Sequence, residues 1–254
     1  MTNILAIARK EWRGYFASPI GYVVIGMYAV VFGYFYAVGL NWFVQQSIQA
    51  PAMGGGPVNV NQQMIRYVFL NSTVIFLFVV PLITMRTYAE EKRSGTIELL
   101  MTSPVTDFQI VMGKFFGAMA LYVAMLAVTL IHIGLLFQFG HPEWKPIASG
   151  YLGLVLLGGC FVSVGLFFSS LTKNQIVAGM FTFAVLLLLW VIDWIGSFSD
   201  PSMARLTAYL SLTGHIEDFL RGIVDTEHVV YYVSFITFGL FLTAKAVDSE
   251  RWRG

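Results

Sequence analysis

The stretch RTYAEEKRSGTIELLMTSPVT, residues 86–106, decides how the rest of the chain must be arranged. It carries six charged side chains, although long apolar runs precede and follow it. A helix continuing from the preceding run, a break at Gly95, a short helix from Thr96 and a stop at Pro104 are predicted. The sequence therefore predicts a helical elbow between two apolar helices.

The composition indicates a protein whose main solvent is lipid. Of the 254 residues, 57% are hydrophobic and 11% are charged, and the mean hydropathy is +0.72. Soluble domains usually carry roughly 25% charged residues. The net charge of +1 gives no case for nucleic acid, and the single cysteine, Cys160, excludes a disulfide framework. The first residues place their charges centrally, unlike a cleavable signal peptide. We expect an all-α integral membrane protein.

Six apolar runs are long enough to cross a bilayer, which takes about 20 residues of helix. Helices are predicted because lipid offers the backbone amides no partners. Pro81 should kink the second span. The predicted spans are Ile20–Leu40, Val68–Met85, Gln109–Phe137, Tyr151–Leu171, Ile176–Ile195 and His228–Ala244.

Lysine and arginine predict the orientation, because cytoplasmic loops carry an excess of both. Eleven of the 15 basic residues fall on one side of the predicted topology and four on the other. The smaller set is Arg66, Lys145, Arg205 and Arg221. Both termini and the elbow are therefore expected in the cytoplasm.

The segment before the first span reads as an amphipathic helix over residues 3–17. Helical spacing places Arg9, Lys10 and Arg13 away from an apolar face. That face comprises Ile4, Leu5, Ala8, Trp12, Tyr15 and Phe16. Such a helix is expected to lie in the inner membrane interface. The alternative is a frayed, soluble start.

Residues 200–225 predict a pair of short half-helices separated at Gly214, dipping into the outer leaflet before the last span. A surface loop with local helix is the alternative. Acidic and imidazole side chains gather there, at His215, Glu217, Asp218, Asp225, Glu227 and His228. Their spacing matches no tight zinc pattern, so no metal site is predicted. In the fourth span, Gly158, Gly159 and Gly165 predict close helix packing.

The elbow has the composition of a docking element. Ile97, Leu100 and Met101 share one helical stripe, Leu99 lies beside it, and charged residues surround them. An apolar helix face with a charged rim fits a groove on another protein. The alternative is a helix lying flat on the membrane. TDFQ, residues 106–109, has capping-box spacing and should start the third span.

The segment EEKRSGTIELLMTSPVT resembles the region between the second and third helices of ABC-2 type transporter permeases. The likeness covers nearly the whole chain, and the RKEWRGYFASPIGYV opening is most similar to gliding-motility-type (GldF-like) permeases, with NosY-like permeases as relatives. The resemblance implies one ABC-2 transmembrane domain over residues 1–254 with the type V exporter-like fold. It also implies that the elbow is the cytoplasmic coupling helix and that Arg9, Lys10, Trp12 and Arg13 belong to the interfacial helix beside it. The residues implied to carry ATPase coupling are Glu90, Glu91, Lys92, Arg93, Gly95, Thr96, Glu98, Leu99, Leu100 and Pro104.

By the same resemblance the chain is a permease subunit of an ATP-driven transporter in a bacterial inner membrane. The implied partners are two copies of an ABC ATPase, which hold ATP and Mg²⁺, and a second permease copy, with dimer contacts through the first and fifth spans. An auxiliary periplasmic or membrane subunit is a further candidate. The one Gly-Lys pair, Gly113-Lys114, lacks the rest of a Walker A loop, and no catalytic pattern is evident, so the chain is not expected to be an enzyme or to hold a cofactor.

Two other functions stay open. A scaffold that transmits force to a periplasmic partner without moving a solute fits the same fold. A secondary transporter fits less well, because the spans lack buried coupling charges and inverted repeats.

Overall fold

The computed structural model describes residues 2–52, 54, 59–140, 142–197, 203, 207 and 209–251, whose regular elements are all helical. Its helices are α1 Thr2–Ala17, α2 Ile20–Ala52, a π-helical turn Asn61–Ile65 leading into α3 Arg66–Thr84, α4 Ala89–Ser94, α5 Thr96–Thr102, α6 Asp107–Phe139, α7 Trp144–Leu171, α8 Gln175–Ser197, α9 Ile216–Leu220 and α10 Thr226–Arg251.

Within the described residues, six helices are long and apolar enough to cross a membrane: α2, α3 continued by α4, α6, α7, α8 and α10. The predicted fold class is therefore confirmed. Helix α2, the first span, runs to Ala52, twelve residues past its predicted end at Leu40, because the more polar residues that follow Leu40 stay helical.

Helix α7 forms the centre of the bundle. It packs against α3, α8, α9 and α10, and most of its length is buried, whereas α8 and α10 are mainly exposed at their outer faces. Glycine allows the close approach: a Cβ on Gly158 would lie 2.2 Å from the Tyr122 ring of α6. The predicted close packing of this span is confirmed.

Two reciprocal hydrogen bonds fix the start of α3 to the start of α7. The Asn61 side-chain amide donates to the Glu143 carbonyl (2.8 Å), and the Glu143 amide donates to the Asn61 side-chain oxygen (3.0 Å). Nearby, Arg66 pairs with Glu217 of α9 at 2.9 Å. These contacts define one end of the bundle, called here the outer end; α1, α4, α5 and the start of α6 form the other, the basic end.

Helix α6 starts as the sequence predicts. The Gln109 amide donates to the Thr106 hydroxyl, and the Gln109 side chain accepts from the Thr106 amide, each at 3.3 Å. The capping box is confirmed. Because this cap fixes where α6 begins, it also fixes where the elbow ends.

Of the two predicted outer half-helices, the second is α9, which begins two residues after Gly214. The first falls largely outside the described residues.

Candidate functional site at the basic end

The elbow consists of α4 and α5 joined at Gly95. Gly95 has φ +74°, in the left-handed region where a Cβ is costly, so the chain turns there without strain. In α4 the acidic Glu90 and Glu91 occupy the first turn, and the basic Lys92 and Arg93 the last. This order suits the helix dipole.

Helix α5 presents one apolar side chain outward and anchors another inward. Leu99 is 70% exposed at the tip of the elbow, while Ile97 is buried. Leu100 is half-buried and packs on the core. The Met101 side chain lies outside the described part. The described members of the predicted stripe, Ile97 and Leu100, therefore face the bundle, and Leu99, predicted beside the stripe, faces outward.

The structure separates the predicted coupling residues into two sets. Facing solvent are Glu90, Arg93, Gly95, Thr96, Glu98, Leu99 and Pro104. Turned toward the bundle are Glu91, Lys92 and, in part, Leu100. The inward set fixes the position of the elbow, as its contacts show.

Lys92 ties the elbow to two distant helix ends. Its ammonium is nearly fully buried, donates to the Ser170 carbonyl at the end of α7, and pairs with Glu250 near the end of α10. A lysine with two such partners balances its charge where water is scarce. Helix α4 therefore cannot shift independently of α7 and α10.

A second buried cation, Lys114, links α1, α4 and α6. Its ammonium has no exposed surface and lies 2.9 Å from the Glu11 carboxylate and 2.8 Å from that of Glu91. Lys10 also pairs with Glu91, at 2.7 Å. Two cations and two carboxylates thus form a neutral cluster, called here the four-charge cluster: Lys10, Glu11, Glu91 and Lys114.

Electrostatics within the four-charge cluster are consistent with this pairing. Burial lowers the pKa of Lys10, but the hydrogen bond and charge of Glu91, together with the charge of Glu11, outweigh burial and raise it overall. Lys114 also donates to the Thr87 carbonyl at 2.7 Å and lies 4.9 Å from the centre of the Tyr88 ring. The cluster leaves each of its charges with an opposite partner.

The turn between α3 and α4, residues 85–88, frees backbone groups that side chains then satisfy. The Ser169 hydroxyl accepts from the Tyr88 and Ala89 amides (3.0 and 3.2 Å) and donates to the Met85 carbonyl (3.0 Å). The Tyr15 hydroxyl donates to the Ile83 carbonyl at 3.1 Å. Buried backbone groups need such partners, so α1 and α7 hold this turn in place.

Helix α1 lies along the start of α6, with Ile7 and Glu11 against Gly113 and Gly117. A Cβ on either glycine would come within 2.6 Å of those side chains. Ile7 and Glu11 were absent from the predicted apolar face, while Leu5, which was included, is 68% exposed. The predicted apolar face stays a prediction about the membrane interface, and the contact with α6, which Gly113 and Gly117 select, was not predicted.

The remaining predicted residues of α1 lie around this contact. Arg9, Lys10 and Arg13 are exposed, as their spacing predicts. Trp12 is half-buried, with its ring 4.7 Å from that of Phe16. Between α1 and the elbow lies a cleft of about 330 Å³ lined by Lys10, Glu11, Tyr15, Arg86 and Glu90, among others.

Sequence reasoning missed Glu11, Lys114, Ser169 and Glu250 as parts of this site. Lys114 gave a signal, because a lysine within the apolar third span needs a partner. Its partners could not be named, since they come from helices more than twenty residues away in sequence.

The predicted outer cluster comes together only in part. His215, His228 and Asp218 are in contact, while Glu217 pairs with Arg66 and Arg221. Within the described residues, no group of three or more His, Cys, Asp or Glu side chains is arranged to hold a metal ion.

In the part of the chain that the structure describes, six apolar helices, ion pairs at both ends and an elbow braced by buried charges define a multi-pass membrane protein with a fixed protrusion at one end. The family model for ABC-2 family transporter proteins matches residues 44–244. The chain belongs to that family.

Two relatives from Escherichia coli are similar to parts of the chain. The probable multidrug ABC transporter permease YbhR of Escherichia coli K12 is 33% identical over 106 residues, which cover 41% of this chain and 28% of YbhR. The inner membrane transport permease YhhJ of the same strain is 30% identical over 125 residues, covering 48% of this chain and 32% of YhhJ. The matches thus span about a third of the length of these relatives.

Proposed function

We propose that the chain is the transmembrane subunit of an ATP-driven ABC-2 transporter that couples to a separate ATPase through the elbow. The family membership and the permease names of both relatives support this. The observation that carries the proposal is the exposed Leu99 at the tip of an elbow whose other side is fixed by buried ion pairs.

Recognition by a groove on the ATPase follows from the surface of α5. Leu99 supplies an apolar anchor, and Arg93 and Glu98 supply exposed charges nearby. In such contacts a central apolar residue contributes most of the affinity, while rim charges set the register and the association rate. A short helix with this surface fits a groove better than it fits bulk water.

Motion of the ATPase would reach the spans because the elbow is not free to rotate. Lys92 ties it to α7 and α10, and the four-charge cluster ties it to α1 and α6. A displacement at Leu99 therefore shifts several helices together. A loop without these contacts would absorb the motion locally.

ATP and Mg²⁺ are assigned to the partner ATPase. In this chain, Lys114, the lysine of the Gly-Lys pair, is held by Glu11, Glu91 and the Thr87 carbonyl. The proposal further places the basic end in the cytoplasm and the chain in a bacterial inner membrane, as the name of YhhJ suggests. A dimer through α2 and α8, a second permease or auxiliary subunit, and the gliding-motility-type (GldF-like) subfamily stay predictions.

A force-transmitting scaffold is a second candidate function. The observation that favours it is that α7 contacts both ends of the protein. At one end its Ser169 hydroxyl donates to the Met85 carbonyl in the turn between α3 and α4, and at the other its Ser149 hydroxyl donates to the Phe219 carbonyl of α9 at 2.6 Å. One helix thus connects the two ends of the protein. Substrate transport in proteoliposomes separates the two functions, since a scaffold would stimulate the ATPase without moving a solute.

Substitution of Leu99 by Asp tests the coupling role. We expect Leu99→Asp and Glu98→Lys to insert and fold normally, because both side chains are exposed, but to lose binding of a co-expressed ABC ATPase. Co-purification and the ATPase rate in liposomes are the measurements. Leu100 is unsuitable, since its half-buried side chain packs on the core.

Ile223→Asp is the matched control, because Ile223 is an exposed apolar residue at the outer end. It should retain ATPase binding. If Leu99→Asp co-purified with a full complement of ATPase, the elbow would not be the docking element, although the family membership would stand.

A further inference from the structure

We propose that His215, His228 and Asp218 form a proton-binding site that latches the outer segment, residues 209–220, onto the first turns of α10. Nδ1 of His215 lies 2.8 Å from Nδ1 of His228. Nε2 of His228 lies 2.8 Å from the Asp218 carboxylate, and Nε2 of His215 lies 3.0 Å from the Tyr209 carbonyl. The three contacts form one continuous chain.

Counting the hydrogens that these three contacts need gives the net charge of the group formed by His215, His228 and Asp218. Each contact needs one hydrogen between its two heavy atoms. Two neutral imidazoles carry only two hydrogens on nitrogen. With Asp218 ionised, one of the three contacts would then bring two lone pairs together. Two imidazolium rings carry four, and their Nδ1 hydrogens would collide. A single excess proton satisfies all three contacts.

The hydrogen-bond partners of the two rings determine which ring carries the excess proton. The Tyr209 carbonyl can only accept, so His215 carries its hydrogen on Nε2 and accepts at Nδ1. His228 then donates from both nitrogens, to His215 and to the Asp218 carboxylate, and is the imidazolium. Burial lowers the pKa of His215, against the raising effect of its hydrogen bond to the Tyr209 carbonyl, with the neighbouring His228 lowering it further. This agrees with a neutral ring at that position.

The surroundings of the pair leave Asp218 as its counter-ion. Glu217 is engaged by Arg66 and Arg221, and Arg221 approaches Asp218 only at 3.8 Å. Glu227 is exposed and acts on His215 at longer range. The remaining titratable groups around the pair, within the described residues, are the phenols of Tyr209, Tyr231 and Tyr232.

The latch has a mechanical consequence because His215 and His228 lie on different segments. The same two segments are joined by the hydroxyls of Tyr231 and Tyr232, which donate to the carbonyls of Leu210 and Leu212. The proton is the part of this connection that pH can remove. Binding of one proton closes the latch, and loss of that proton at alkaline pH opens it by leaving two acceptors face to face. The inference is independent of ATPase coupling.

The first test counts the protons directly. In the full chain in nanodiscs, freed of metal with EDTA, ¹⁵N spectra of the histidine rings are recorded from pH 5 to 9 and assigned with single histidine substitutions. At pH 6 we expect one imidazolium, His228, and one neutral ring protonated on Nε2, His215. Two neutral rings at pH 6, or two rings titrating independently, would overturn the proposal.

Substitution of the counter-ion supplies the second arm. Asp218→Asn should reduce the imidazolium signal at pH 6, because the carboxylate no longer balances the charge. Glu217→Gln, one residue away on the same helix, should leave that signal unchanged. Equal effects of the two substitutions would remove Asp218 from the site.

Hydrogen exchange tests the latch itself. After correction for intrinsic rates, opening of residues 209–220 should increase as pH rises, by up to tenfold per pH unit for one linked proton. Asp218→Asn should flatten this dependence and Glu217→Gln should keep it. A segment whose protection does not respond to pH would refute the latch. Zn²⁺ added to the metal-free protein gives the last discriminating outcome: stoichiometric binding that shifts both Nδ1 signals would assign the pair to a metal instead.

Discussion

A lysine without exposed surface persists as a cation only where opposite charges and acceptors surround it. Lys114 meets that condition with two carboxylates, a carbonyl and an aromatic ring drawn from three elements. The sequence shows a lysine inside an apolar run but not its partners, because the carboxylates come from α1 and α4. The sequence therefore indicates that a lysine in this run needs partners, but it does not identify them.

Removing the cation should destabilise the basic end strongly. Lys114→Met leaves Glu11 and Glu91 facing each other with only Lys10 beside them, and breaking a buried ion pair costs about 3–5 kcal/mol. We expect the free energy of unfolding in detergent to fall by that order and the Tm with it. Adding Glu11→Gln should recover part of the loss, because it removes one of the unpaired charges.

Lys10→Met is the control for this prediction. The Lys10 side chain is 62% exposed, so its pair with Glu91 is screened by water and worth about 1 kcal/mol or less. A Lys114→Met protein as stable as Lys10→Met would show that the four-charge cluster contributes little to folding.

At the scale of the element, glycine decides which helices touch. The glycines of α7 predicted close packing, and their positions against Tyr122 and Thr84 confirm it. The glycines of α6 were not used in the prediction, so the face of α1 that packs on them was not predicted. Helix starts and breaks, at Thr106 and Gly95, followed from local chemistry and were correct. Which face meets which neighbour depends on tertiary packing, and a single sequence does not specify it.

Gly165 gives a test of the contact between α7 and α3. A Cβ at this position would lie 2.1 Å from the Thr84 hydroxyl and 2.6 Å from the Thr84 Cβ, too close for a rotamer change to relieve. We expect Gly165→Ala to lower the free energy of unfolding by about 1–3 kcal/mol through overpacking.

The matched control is Gly134→Ala in α6, where a new Cβ would meet nothing within 4 Å. It should leave stability unchanged or raise it slightly, since alanine favours the helix. Thermal unfolding of both variants decides the point: equal Tm values would mean that α3 and α7 are not in the described contact.

At the scale of the whole molecule, the two ends hold charge differently. At the basic end, cations are paired inside the protein and others remain exposed on α1 and α4. At the outer end, the described ion pairs lie around α9 and join Arg66, Glu217, Asp218, Arg221 and His228. This asymmetry agrees with the count of eleven basic residues against four and leads to a prediction about orientation.

Single cysteines test that orientation, because the one native cysteine, Cys160, is fully buried and should not react. Ser94→Cys reports on the elbow and Ile223→Cys on the outer end, and both positions are exposed. Since cytoplasmic segments carry the excess of lysine and arginine, a membrane-impermeant maleimide should label Ile223→Cys in sealed right-side-out vesicles. Ser94→Cys should react only after permeabilisation. The reverse pattern would place the elbow outside the cell, away from any source of ATP, and would remove the physical basis for coupling through Leu99 while leaving the six-helix fold unchanged.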